Sequence, residues 1–535
     1  MIAFSLSLFK LYKYHFQNKT NPAQITATLI QNSNRQIKIG GIISYLTIGF
    51  SIISGLIYTP WMISIIGQSS FGLFTLATSL VTMVTIDLGL SSAVTRFISK
   101  YRAEKDADSI RKFLGIVYKL FIFLAIVFLV LLTVVYFNVD RIFLKLNPDE
   151  IEKVKVLLSI AGLYAIVSFP FQPLDGLLVS GEWFIFQKST ALISKVLNIV
   201  LMVVALLMGY GLYSLVVVNA FCGLFVIGLK LYFLHKKDPQ QIEWKTFDKK
   251  LTKEIFSFSL WVMVISIAQR LILNVTPSVL GITSGSREIA IFSAAMTIEG
   301  YVWTFATVFG GMFLPKVSKL IYGDNAGPGA IQELMIKVGR IQFILLAAIV
   351  SIFIMAGRDF FLNWLGVDFE KSYLITVLLV FPGLITIPQE IASTALIASN
   401  QVRYNAYSRI IIAVISIVLS YFLSLKYGSS GAGIAIFIGN LIGGAIVLNI
   451  IYARILKIDV WAFFRKCQIN MSLPFILVIL VGLVLNHYIT EVSWINLSVK
   501  ILFLIGVYAF SAYSFALNSY EKDLLSGLGF KKVKF

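Results

Sequence analysis

The chain has 535 residues, 58% of them hydrophobic and 13% charged, about half the charged share of an ordinary soluble domain. So few charges cannot clothe a water-facing surface of this size, which excludes a soluble enzyme of several domains. The net charge of +19 would by itself suit a nucleic-acid partner, but its placement along the chain argues against one.

Residues 1–16 carry Lys10 and Lys13 and are followed by no small-residue cleavage site, so they read as a retained, interfacial amphipathic segment, not a secretory signal. They open a cytoplasmic N-terminal segment, 1–38. Apolar runs follow near 40–66, 71–94, 113–138, 154–181, 184–208 and 211–234, then near 255–281, 288–314, 334–357, 372–399, 405–425 and 431–453, with a last pair near 470–489 and 495–517. Each run is long enough to cross about 30 Å of hydrocarbon as a helix. In lipid each must satisfy its own backbone hydrogen bonds, and the runs are too long and too continuously apolar for barrel strands. The expected fold is therefore an all-α polytopic membrane protein of about fourteen helices. Its units are an N-lobe (39–234), a basic linker (235–254), a C-lobe (255–454), two added helices (455–517) and a basic tail (518–535).

Alternate links differ in charge. One side collects Arg35 and Lys38, the group from Arg96 to Lys112, then Lys236 to Lys253, Lys316 and Lys319, Arg403, Arg454 to Lys466, and Lys531, Lys532 and Lys534, whereas the links at Gln68 and Tyr210 hold no cation. The positive-inside rule places both termini in the cytoplasm, in agreement with an even number of spans. The basic excess is then a topology signal and an attraction to anionic lipid head groups. No link is long enough to fold alone, and no phosphate-binding loop stands in a strand-turn-helix context. Two cysteines and three scattered histidines offer neither a disulfide framework nor metal-ligand spacing. No metal or cofactor is expected.

The first hairpin of each six-helix set looks alike. Thr59-Pro60, Gly67 and Phe71 to Ala77 are echoed by Thr276-Pro277, Gly285 and Ile289 to Ala295. Six helices per unit would give the two lobes the same membrane orientation, an arrangement that secondary transporters use to alternate access.

Charges inside spans are costly and should face a partner or a wet cavity. Asp87, Lys119, Asp175 and Glu390 lie near the cytoplasmic ends of their helices, where an ion pair, snorkelling or a gating role accounts for them, and Arg96 joins this group. Lys195, Arg270 and Glu299 lie near mid-helix and are the main cavity candidates. Ser266, Arg270 and Asn274 recur every four residues on one face, and Lys188, Lys195 and Asn198 share another. Glu299 has Trp303 one turn on and is equally suited to neutralise Arg270 as a structural counter-ion. Cations at this depth favour an anionic substrate such as a phosphate or pyrophosphate.

The run Asp87-Leu88-Gly89-Leu90-Ser91-Ser92-Ala93-Val94-Thr95-Arg96, the turn Gly67-Gln68-Ser69-Ser70-Phe71-Gly72 and the segment Leu314-Pro315-Lys316-Val317-Ser318-Lys319 resemble motifs of the Wzx-like polysaccharide-biosynthesis flippases. The resemblance extends in hydropathy and helix count from about Lys38 to the last span. It implies the multidrug/oligosaccharidyl-lipid/polysaccharide (MOP) exporter fold, with two six-helix lobes around a cavity. It also implies a transporter, not an enzyme, that moves a polyprenyl-pyrophosphate-linked oligosaccharide across the bacterial plasma membrane, alongside polysaccharide polymerases or glycosyltransferases of the same pathway. Several relatives carry an acid near the position of Arg270, where this chain has Gln269-Arg270, so an ion-coupling role is not carried over to that helix. The alternatives are an ion-coupled drug or cation antiporter of the same superfamily, which would need unpaired midplane acids, and a membrane glycan polymerase or ligase, which would need a sizeable outer loop with acid/base residues.

Overall fold

A computed structural model describes residues 22–85, 90–245, 249–307, 313–322 and 327–527. Its first half comprises α1 (Pro22–Ile66), α2 (Gln68–Val84), α3 (Leu90–Ala103), α4 (Ala107–Ile142), α5 (Pro148–Ser168), α6 (Pro173–Ser180), α7 (Phe184–Leu207) and α8 (Gly211–Lys237). The second half comprises α9 (Lys249–Thr283), α10 (Ser286–Thr307), α11 (Leu314–Tyr322), α12 (Pro328–Leu365), α13 (Lys371–Val380), α14 (Glu390–Ala398), α15 (Val402–Gly439) and α16 (Leu448–Ile455). The chain closes with α17 (Ser472–Tyr488), α18 (Trp494–Ser511) and α19 (Ser519–Gly527), and short helical turns join the rest. No strand occurs among the described residues.

Eleven helical stretches among the described residues are long and apolar enough to cross a membrane. One of them, Val402–Ile455, takes in two expected spans, because α15 bends at Gly428, whose φ of 56° suits glycine. The bend is held by Glu288, which accepts from the Ser429 backbone N–H at 2.7 Å and from the Ser429 hydroxyl. The expected spans at 71–94 and 288–314 are not among the eleven. The first is helical as α2, which ends at Val84 with Thr85 as its cap, and again as α3 from Leu90; residues 86–89 lie outside the described residues. Fourteen spans are thus not established. Of the N-terminal segment 1–38, the described part is helical: α1 begins at Pro22, a residue suited to the first helical turn, and runs unbroken into the first span. The proposed amphipathic stretch 1–16, Asp87 and the tail from residue 528 lie outside the described residues.

Side chains such as Ile57 and Phe137, each 70% exposed, cover the outer faces of the bundle, as a lipid-facing surface requires. Inside, three apolar cores form. The largest draws on both halves, with Leu76, Phe143 and Leu157 packed with Leu280, Phe292, Phe361 and Ile375. The other two are confined to one half each. Phe97, Phe113, Phe121 and Phe169 centre one, and Met335, Phe343, Ile391 and Phe463 the other. The shared core lies at the end bearing the Gln68 and Gly366 turns. Among the described residues, the separate cores occupy the end bearing the basic links, and the second runs on along α12 as far as Met355.

Candidate functional site

The internal repeat has a structural counterpart. Pro60 lies inside α1 and Pro277 inside α9, where each removes a backbone donor. Gly67 and Gly285 turn the chain at φ of 85° and 92°, a region in which a side chain is strained. The helices that follow, α2 and α10, meet at their first turns. A Cβ on Gly72 would stand 2.0 Å from the Ser286 carbonyl oxygen, so glycine permits this approach. The hydroxyls of Ser69 and Ser286 are 2.8 Å apart, and each donates to Glu150 Oε1 at 2.5 Å. Glu150 is itself placed by a capping box with Asn147 and by Pro148 at the start of α5. A carboxylate from the first half thus clasps equivalent serines of both halves, over the shared core.

Deeper in the same seam, Arg270 Nη1 donates to the Thr82 carbonyl of α2 at 3.3 Å, and Asn274 Nδ2 donates to the Arg270 carbonyl at 3.3 Å. Arg270 therefore stands between the halves. Neither Arg270 nor Glu299 takes part in an ion pair among the described residues, so the two are not counter-ions in this arrangement. Lys195 is exposed on α7, on the face that continues one heptad on into buried Met202, whose sulfur accepts the Tyr58 hydroxyl at 3.3 Å.

Asn198 goes elsewhere. It lines a cavity of about 390 Å³ among α2, α5, α7 and α8, together with Thr82, Gln172, Ser194, Asn219 and Cys222, and its Nδ2 donates to Asn219 Oδ1 at 2.7 Å. None of the lining residues is charged. Thr82 connects the two places, since its carbonyl holds Arg270 and the residue itself forms part of the cavity wall.

The residues expected near the basic end divide. Asp175 is paired with Lys230 at 2.7 Å and accepts from Gln187 Nε2 at 3.3 Å. Glu390 accepts from Gln342 Nε2 at 3.4 Å. Arg96 is exposed, with its guanidinium 5.9 Å from the Phe97 ring centre, and Lys119 is half-buried on α4.

Several charged groups were not singled out from the sequence. Arg409, beside Tyr452, lies within α15 next to the Glu390 region. Lys500, only 2% exposed, binds Asp359 at 2.5 Å. Arg340 makes a two-toothed contact with Glu521 at 2.6 and 2.8 Å. Arg409 and Lys500 fall inside expected spans, so the rule that flagged Lys195 would have found them too. The signal for Glu150 was the Asn147-Pro148-x-Glu150 cap.

The fold matches known structures. An inward-closed structure of the lipid II flippase MurJ superposes with a TM-score of 0.68 at 17% identity, covering 90% of this chain and all of that one. A MOP-superfamily transporter from Pyrococcus furiosus, described as having a binding pocket of reversed polarity, gives 0.55 at 15% identity over 79% of this chain and 97% of that one. An inward-facing multidrug resistance transporter of the MATE family gives 0.53 at 16% identity over 79% and 99%. No curated protein matches significantly in sequence. Residues 39–321, more than half of the chain, match the model of the polysaccharide biosynthesis proteins. The chain belongs to that family and has the MOP-superfamily fold.

Proposed function

We propose that the chain is a flippase that carries a polyprenyl-pyrophosphate-linked oligosaccharide from the cytoplasmic to the outer leaflet of the bacterial plasma membrane by alternating access. The observation that carries this reading is the division of the core. Among the described residues, the halves share apolar packing at the end of the Glu150 clasp and have separate cores toward the basic end. Two bodies whose common core lies at one end can rock about that joint. With the basic links inside, both termini are cytoplasmic and the joint is the closed outer gate. The lobes are then 39–234 and 255–454, joined by the linker 235–254 and extended by 455–517 and the tail 518–535.

The substrate class is supported by the family match, by the lipid substrate named for MurJ, and by Arg270 on the seam. A guanidinium in a partly desolvated cleft suits a pyrophosphate. Lys195, exposed on α7, supplies a second cation along the route. The polyprenyl tail remains in lipid. The membrane potential favours outward passage of a net anion by about 2.3 kcal/mol per charge per 100 mV.

The test is translocation of a fluorescent undecaprenyl-pyrophosphate-linked oligosaccharide in vesicles containing the purified protein. Arg270→Ala should slow transport about 10- to 100-fold, the worth of a hydrogen bond to a charged group. Wild-type rates in that variant at equal protein level would overturn the role of Arg270, and no translocation by the unaltered protein would overturn the function.

A further inference from the structure

The cavity in the first half is unlike its surroundings. In a chain that is 58% hydrophobic, helices α2, α5, α7 and α8 all direct polar residues to one space. Some are already committed: the hydroxyls of Thr78, Thr85 and Ser168 donate to carbonyls of their own helices. Others are not. No side-chain hydrogen bond occurs for Thr82, Gln172 or Ser194 among the described residues, and the Asn198–Asn219 contact leaves the Asn219 amide N–H₂ uncommitted. Apolar packing would not need these groups, and leaving them unmatched in a dry bundle costs about 1 to 3 kcal/mol each.

The chemistry of the wall selects the occupant. A cation would require carboxylates and an anion would require Lys or Arg, and neither lines the space. The wall offers neutral hydroxyls and amides that both donate and accept, next to the half-buried ring of Tyr164. That combination suits a pyranose, whose hydroxyls also donate and accept and whose C–H faces pack on aromatic rings. At about 390 Å³ the cavity falls within the usual range for small-molecule sites. It lies near mid-depth, because Ser194 and Asn198 flank the middle of α7. Its wall is also continuous with the cation on the seam, since the Thr82 carbonyl holds Arg270.

We infer that this cavity is a sugar subsite, in which an uncharged pyranose of the head group lodges while the pyrophosphate stays at Arg270. The assignment rests on the flippase reading and adds to it the place where the glycan is sensed.

Two measurements test it with the full-length protein. In the first, Asn219→Leu and the milder Ser194→Ala are compared with the unaltered protein in vesicles, using a fluorescent undecaprenyl-pyrophosphate-linked oligosaccharide and undecaprenyl pyrophosphate without sugar. Each variant should raise KM for the glycan-lipid about tenfold, as expected for one lost hydrogen bond, and leave the sugar-free lipid unchanged. Equal effects on both lipids, or none on either in both variants, would overturn the subsite. In the second, free glucose, galactose, rhamnose and N-acetylglucosamine are tested for protection of the thiol of Ala161→Cys, a half-buried position in the cavity wall, against a small methanethiosulfonate in the purified protein, the native Cys222 being buried. Protection by at least one sugar, lost in Asn219→Leu, is the expected result. Protection by sodium ions alone, or by no sugar, would overturn the subsite. If neither lipid is moved by the unaltered protein, the flippase reading falls while the thiol measurement still decides the cavity.

Discussion

The two halves handle polar groups in opposite ways. The first half keeps a neutral, roomy cavity, and the carboxylate of its Asp175–Lys230 pair is 44% exposed. The second half buries charge against charge. Lys500 and Asp359 are 2% and 17% exposed, and Arg340 and Glu521 are 12% and 6% exposed. Both of these pairs are anchored on α12, nineteen residues apart, about 28 Å along a helix and close to the thickness of the hydrocarbon layer. One ties α18 to α12 and the other ties α19 to it. The added C-terminal helices are thus stapled at both membrane faces, which makes the second half a stiff body against which the first, with room inside, can move.

The largest effect expected from this contrast is at the buried staple. Lys500→Met leaves Asp359 without its cation in a closed site, and breaking such a pair typically costs about 3 to 5 kcal/mol. Thermal unfolding of the purified protein should show a large fall, and pairing the change with Asp359→Asn should restore most of it. An unchanged transition in the single variant would mean that the staple is not what holds α18.

An intermediate effect is expected at the joint between the halves. Glu150→Gln removes the charge from the clasp of Ser69 and Ser286 and should shift the gate toward opening by about 1 to 2 kcal/mol, roughly 5- to 30-fold. The readout is thiol labelling from the outer side at Leu76→Cys, a position fully buried in the shared core; both native cysteines are buried. Labelling as slow as with Glu150 intact would remove the clasp from the gate.

Much of this architecture was legible in the sequence, for identifiable reasons. Long apolar runs need internal backbone pairing, so the helices could be read directly. The Thr-Pro and Gly positions of the repeat could be read because glycine and proline mark backbone geometry wherever they stand. Partners are another matter. Arg270 bonds a backbone carbonyl at Thr82, 188 positions away, and any residue supplies a carbonyl, so no side-chain pattern announces it. The cavity is similar: Thr82, Gln172, Ser194 and Asn219 are each unremarkable in a span, and only the packing of four helices brings them together. Of the mid-helix candidates, Asn198 and Arg270 come to the two sides of Thr82, while Lys195 and Glu299 stand apart from that cavity wall.

The smallest effect separates the halves most clearly. Lys230→Ala breaks the pair with Asp175, formally the same kind of change as Lys500→Met. Here, however, the remaining carboxylate is 44% exposed and keeps its contact from Gln187 Nε2 at 3.3 Å. An accessible carboxylate retains most of its hydration when the cation is removed, so the cost should be at most about 1 kcal/mol. The same thermal unfolding measurement checks it, with a shift well below that of Lys500→Met. A loss as large as at Lys500 would show that Asp175 is sealed by its surroundings in the membrane, and that the first half is braced by buried charge as the second is.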